Sequence, residues 1–275
     1  MSSTRSTSPT QPPAPPQEGA GASGPFVLPP GYDGLGESRR LLRVIRAGAL
    51  ATNGPEGFPF ASLVTIATDH AGAPLLLLSG LSAHTRHLIA DPRASILLSE
   101  TGKGDPLAHP RLSLVGAMTR LEGAAREAAK ARFLARHPKS ALYADFGDFG
   151  FWRLEIARAH LNGGFAKAAA YDGGELLLDA QACALAAALE PQVLAELDAA
   201  PQTLARLAAA AGAQPSARWR ATGFDPLGLD LAAGDLSARL AFAEPVTDLP
   251  AWRRAMEDRS GGPVGGPVDG PVDRD

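Results

Sequence analysis

The residues best suited to chemistry lie together in Ser79-Gly80-Leu81-Ser82-Ala83-His84-Thr85-Arg86. The segment joins an apolar strand-like run, Pro74–Ser79, to a short helical run, Ser82–Ala90. A helix N-terminus carries unpaired N–H groups and partial positive charge, which suits an anion. Ser79, Ser82 and Thr85 bring hydroxyl donors, and Arg86 can grip a phosphate through two parallel bonds. His84 adds a donor whose charge responds to its surroundings. The same residues can also be read without a ligand, with Ser82 capping the helix and Arg86 as a surface charge. The glycine spacing of a P-loop or a dinucleotide fingerprint is absent.

Other chemistries find less support. The single cysteine, Cys183, sits among Ala182, Ala184 and Leu185 and reads as a small buried hydrophobe. No His/Cys spacing suits a zinc ion, and no Gly-x-Ser-x-Gly elbow occurs. Asp145 and Asp148 flank Phe146-Gly147 as a loop would. Trp152-Arg153 can stack on a cofactor or belong to the core. His70 and His137 fall at turn or helix-end positions and read as surface residues, and His109 falls in a Gly/Pro loop.

The elements that must position these residues follow from pattern. Residues 37–47 read as a helix with Leu41, Leu42 and Ile45 on its inner face, Arg39, Arg40 and Arg43 solvated, and Gly48 as its stop. Strands then follow at Ala49–Thr52, Phe58–Thr68 and Pro74–Ser79, joined by tight turns as a meander. Further strands are expected at Ala94–Glu100, Arg111–Glu122, Phe149–His160 and Gly164–Ala169, with a helix at Ala124–His137. From about Glu175 the chain is rich in Ala and Leu, which reads as helices broken at Pro191 and Pro201. Strand-like pieces at Ala217–Thr222 and Leu236–Phe242 and a closing helix at Leu249–Asp258 complete it.

Bulk properties exclude several classes. The chain has 275 residues, a hydrophobic fraction of 45% and a net charge of only −3. No global positive field draws nucleic acid or an anionic membrane. No apolar run reaches the ~18 residues of a membrane span, and the Ser/Thr/Pro-rich start lacks the apolar stretch of a secretory signal. Together with the lone cysteine this leads us to expect a cytoplasmic protein.

Several motifs in order carry a resemblance to a known family. They are Asn53-Gly54 through Ala61-Ser62-Leu63-Val64, then Ser79–Arg86 with His87-Leu88, then Asp91-Pro92-Arg93-Ala94-Ser95. Asp105-Pro106-Leu107, Pro110-Arg111-Leu112, Phe149–Trp152 and Gly163–Ala168 continue the series. From Glu37 to Tyr171 the chain resembles the pyridoxamine-phosphate-oxidase-like FMN-binding split barrels, in the branch with HugZ-type haem utilisation proteins. The resemblance implies a mainly β, antiparallel, Greek-key-like split β-barrel with flanking helices, followed by a small α+β domain. With the composition of the two ends, this divides the chain into 1–36 (disordered Pro/Ser-rich tail), 37–172 (barrel), 173–259 (α+β) and 260–275 (disordered Gly/Pro/Val tail). It also implies a homodimer with the cofactor at the interface. FMN would lie along the backbone of Ala61, Ser62, Leu63 and Val64. Its phosphate would be held by Ser79, Ser82, His84, Thr85 and Arg86, and Arg111 would lie near the same pocket across the dimer.

The expected function is an FMN-dependent oxidoreductase acting on a small substrate, with no side chain assigned to catalysis. The alternative is a haem-binding or haem-degrading protein using the same cleft; a third reading is a regulatory module without a cofactor. The haem alternative departs from the branch at two places. The stretch Glu196-Leu197-Asp198-Ala199-Ala200-Pro201 lacks two histidines that relatives carry there. No histidine follows His160, so an iron ligand would have to come from His84, His87, His109 or His160, or from another group.

Overall fold

The computed structural model describes residues 28–214 and 218–260. The expected terminal tails lie outside this range for residues 1–27 and 261–275. Residues 28–36 are ordered contributors: Leu28 and Tyr32 pack on the main core, and Asp33 caps the first helix by accepting from the Gly36 amide at 2.8 Å. That helix, α1 (Gly34–Val44), starts earlier and ends earlier than its apolar pattern suggests. Gly48 does not stop it. It lies inside strand β1 (Ala47–Asn53), where a Cβ would come within 2.7 Å of the Leu97 carbonyl oxygen. Glycine there lets two strands approach closely.

β1 alternates between core and surface, as period-two pairing requires. Beyond a short 3-10 turn the chain returns as β2 (Pro59–Thr65), antiparallel to β1 with Leu50 opposite Ser62. The expected single strand over Phe58–Thr68 is split: Ile66 turns inward, fully buried, and β3 (Ala67–Thr68) pairs instead with β4 (Pro74–Ser79). Helix α2 (Ala83–Ala90) follows, then β5 (Arg93–Ser99), β6 (Arg111–Arg120), α3 (Gly123–Arg136), β7 (Phe149–Asn162) and β8 (Ala168–Asp172).

These eight strands form one antiparallel sheet in the order β2-β1-β5-β6-β7-β4-β3, with β8 on β7. The order is not a simple meander, because β4 pairs with β7 across the barrel rather than with β5. The expected strand at Gly164–Ala169 falls on a turn around Gly164 and the start of β8. Leu50, Ile66, Leu76, Ile96, Leu98, Leu112, Leu114 and Leu154 fill the interior. Ala129 and Phe133 of α3 close a second cluster with Leu75 and Phe151. Trp152 belongs to the core.

The short α4 (Gly173–Leu176) leads to the C-terminal α+β domain. Helix α5 (Ala180–Asp198) runs unbroken through Pro191, contrary to the expected break. Proline costs a helix one backbone bond. Tertiary anchors on both sides hold the helix: Glu190 is bonded to Arg132, His70 and the Phe224 amide, and Val193 and Leu197 are fully buried. Pro201 opens α6 (Pro201–Ala210), where its ring is tolerated. The sheet β11-β10-β9 comprises β9 (Arg220–Asp225), β10 (Gly228–Ala233) and β11 (Leu236–Ala241), and α7 (Leu249–Ser260) packs against α6 within the same core. The expected strand Ala217–Thr222 begins three residues later, at Arg220, and β10 was not anticipated; Ala217 itself lies outside the described residues.

Candidate functional site

The site sits where α2 packs beneath the edge strand β2. Being last in the sheet, β2 is hydrogen-bonded only to β1, and its other backbone edge is open. Its residues Ala61, Ser62, Leu63 and Val64 therefore offer an unpaired edge, with Leu63 81% exposed. Ser79 ends β4 and Ser82 occupies the N-cap position of α2.

The hydroxyls there are already engaged. Ser79 Oγ donates to Asp148 Oδ2 at 2.6 Å, and Ser82 Oγ bonds the Ser79 carbonyl at 2.6 Å and Thr85 Oγ1 at 2.9 Å. Thr85 is buried. Ser82 makes no capping bond to the helix amides. Arg86 is exposed and donates to the Leu81 carbonyl at 2.8 Å.

Helical spacing puts His84 and His87 on one face, three residues apart, toward the strands. His84 Nδ1 lies 3.1 Å from Ser62 Oγ, and His87 Nδ1 lies 3.1 Å from Thr52 Oγ1. In the tautomer where Nδ1–H donates to the hydroxyl, each Nε2, which has no partner among the described residues, keeps a free lone pair, the arrangement of a positioned imidazole ligand. Burial, then the neighbouring His87, lowers the pKa of His84, which favours the neutral ring a metal requires. Phe60 meets His87 edge-on, with centroids 5.3 Å apart. Beside them, Arg86, His87 and Arg93 join Asn53, Gly54 and Asp91 around an open cavity of about 830 Å³. The Arg93 guanidinium, with help from Asn53, holds the Asp91 carboxyl well below the usual carboxylate range. Phe58, Phe60, Leu63, Leu81 and Ile89 are exposed.

The other expected residues are elsewhere. Arg111 opens β6, where its register places it opposite Ser99 and Asn162, and it donates to the Leu107 carbonyl. It shares the outward sheet face with Leu97 and Val115, away from α2, so within one chain it does not meet Arg86. His160 lies opposite Ser113 and Ala170, and His109 is held by the Lys103 carbonyl in an exposed loop. His137 is not a surface residue: it is half-buried, with Nε2 bonded to the Ile66 carbonyl at 2.9 Å. His70 is committed to Glu190. Among the described residues no group of three or more His, Cys, Asp or Glu side chains could hold a metal ion. Sequence reasoning missed Thr52 and Phe60 and read Asp148 only as a loop residue. Thr52 left a trace, a polar residue in phase with Leu50 on the buried face of β1; the pairing of Asp148 with Ser79, 69 residues away, left none.

The family model described as CREG, beta-barrel matches residues 34–175, which hold the whole eight-stranded sheet and α2. The chain belongs to the CREG β-barrel family. The chain is also similar to several known proteins. The protein Atu2129 of unknown function from Agrobacterium tumefaciens str. C58 is 33% identical, with a TM-score of 0.74, over 86% of this chain and 100% of that one. A heme binding protein from Mycobacterium smegmatis is 29% identical, with a TM-score of 0.52, over 84% of this chain and 97% of that one. The non-canonical heme oxygenase HOZ, chloroplastic, from Arabidopsis thaliana is 37% identical over 123 residues. That match covers 43% of this chain and 37% of the HOZ protein, so the chain spans little more than a third of that curated relative. Among the described residues, no helix is long and apolar enough to cross a membrane.

Proposed function

We propose that the α2–β2 corner binds haem and that the protein acts in haem handling, with oxidative breakdown of the bound haem as its catalytic extension. The observation that carries this reading is the pair His84 and His87, each fixed through Nδ1 by a strand hydroxyl and each with Nε2 uncommitted. The exposed Phe58 and Phe60 suit the apolar macrocycle, and Arg86 and Arg93 suit its propionate carboxylates. The residues present thus fit the group. When bound, haem supplies the oxygen-activating redox chemistry. The chain's own part is to hold the imidazoles neutral and oriented, shield the ring and pair the carboxylates. The likeness to the mycobacterial heme binding protein and to HOZ supports this reading over FMN oxidoreduction.

FMN remains the second reading. It is favoured by the open backbone edge of β2 and the exposed Arg86 guanidinium. It is disfavoured by the Ser79–Asp148 bond, which spends a phosphate donor and leaves a carboxylate beside the cradle. We also propose a homodimer through the outward sheet face, where Leu63, Leu97 and Val115 stand exposed among Ala49, Ala51, Ser95 and Ser113. A second copy would let Arg111 reach the pocket. A reducing, cytoplasmic setting suits the free Cys183.

Titration of the purified chain with haem and, separately, with FMN tests the reading. A saturable Soret band that fades under ascorbate in air is expected. Saturable flavin binding without a Soret band would replace haem by FMN, and binding of neither would leave the regulatory module.

A further inference from the structure

A second cavity, of about 960 Å³, opens between α1 and the β10–β11 ribbon. Its volume lies within the range of small-molecule sites. One wall is apolar, formed by Val44, Leu231, Ala238, Ala241 and Phe242. The rest of the lining is charged: Arg40 is paired with Glu37 and Glu100, and the guanidiniums of Arg43, Arg46, Arg136 and Arg239 gather near Asp230. Arg43 and Arg239 are buried against Asp225, and Arg239 also pairs with Asp230. These charges balance one another.

Arg46 and Arg136 do not balance. Arg46 has no carboxylate at ion-pairing distance among the described residues and donates to the Arg136 carbonyl. Arg136 spends its Nη2 on the carbonyls of Arg43 and Ile45 and meets Asp230 only at 3.6 Å. Its Nε is buried with no partner. Burial first lowers its pKa to about 10; Asp230 opposes that, and Arg46, Arg239 and Arg132 add to it. A buried donor without a partner and an uncompensated positive charge are both costly. An oxyanion at the cleft would offset the uncompensated charge of Arg46 and Arg136.

We propose that this interdomain cleft binds an organic anion with an apolar body and a compact carboxylate head, the head at Arg46 and Arg136 and the body against Ala241 and Phe242. The site is separate from the α2–β2 corner and does not depend on haem binding there.

Calorimetric titration of the full chain with sodium octanoate, and separately with sodium phosphate, tests it. Arg46→Gln removes charge at an unpaired guanidinium, and Ala241→Trp fills the cleft from an exposed strand position. Arg136 is left intact because it also ties down the end of α1. Octanoate is expected to bind saturably, roughly tenfold or more weaker in Arg46→Gln, and not at all in Ala241→Trp, with both variants melting like the parent. Phosphate should bind more weakly than octanoate, and haem loading should leave octanoate binding unchanged. Absence of octanoate binding overturns the proposal, as does binding equal to the parent's in both variants. Phosphate binding as tight as octanoate's overturns the apolar part, and displacement of octanoate by haem overturns the separateness of the sites.

Discussion

Helices α1 and α2 treat their polar groups in opposite ways. On α1, Arg43 is 1% exposed and locked to Asp225, which is itself fully buried and shared with Arg239. On α2, Arg86 stands in solvent with only a carbonyl, and the two histidines each keep one ring nitrogen uncommitted. Buried charges with complete partners hold a fold together; exposed groups with spare valence are available to a ligand. The same contrast separates an arginine locked into the fold from one left free for the proposed site, although both sit on short helices.

The largest effect that can break this comparison is Asp225→Ala. It strands two buried guanidiniums and should cost about 3–5 kcal/mol in urea unfolding, whereas Arg86→Ala should change stability by less than about 0.5 kcal/mol. Equal costs would erase the distinction between the helices. Burial alone would raise the Asp225 pKa, but Arg239 and then Arg43 hold it well below the usual range. Its contribution is therefore fully present above the unfolded value of about 4 and is lost as pH falls through the folded value.

A second effect belongs to His137. Burial lowers its pKa to about 4 from the model-compound value of 6.5. The unfolded chain then takes up a proton first, so stability should decline as pH falls from about 6.5 towards about 4. His137→Gln should flatten unfolding free energy across that window; an unchanged slope would show that the ring is not held neutral.

Next comes the outward sheet face. Leu97→Arg should dissociate the proposed dimer in sedimentation while the fold survives, since Leu97 is 39% exposed. A dimer that persists would move the interface elsewhere. The smallest effect concerns Cys183, whose thiol is pushed up to about 11, chiefly by burial. Its reaction with a disulfide reagent at pH 8 should be slower than that of a free thiol, and a fast reaction would mark it as activated.

Much of the barrel was legible because its signals are local. Pro74–Ser79 leading into Ser82–Ala90, the turn at Asn53–Gly57 and the β-rich run through Ala61–Val64 all depend on neighbours in sequence. What was misread depends on distant partners. Arg43 falls in a run of arginines that looks solvated, yet its carboxylate lies 182 residues on. Pro191 looks like a break until Glu190 is seen anchored to Arg132 and His70. β10 is short, and its Leu229 and Leu231 alternate over too few residues to stand out from the turn before them. At the site, the segment Ser79–Arg86 was legible as a cluster of donors. Its hydroxyls' commitment to Asp148 and to each other was not, and that commitment is one ground of the proposal that favours the imidazoles of His84 and His87 over an FMN phosphate.

The central claim is tested most directly by haem titration of the parent chain and of the His84→Ala/His87→Ala double variant, followed by Soret absorption, with unfolding curves to show that both are folded. The parent should give a saturable Soret band, and the double variant should lose it or bind at least roughly tenfold more weakly. A double variant that is folded and binds haem as tightly as the parent, with the same spectrum, would contradict the account.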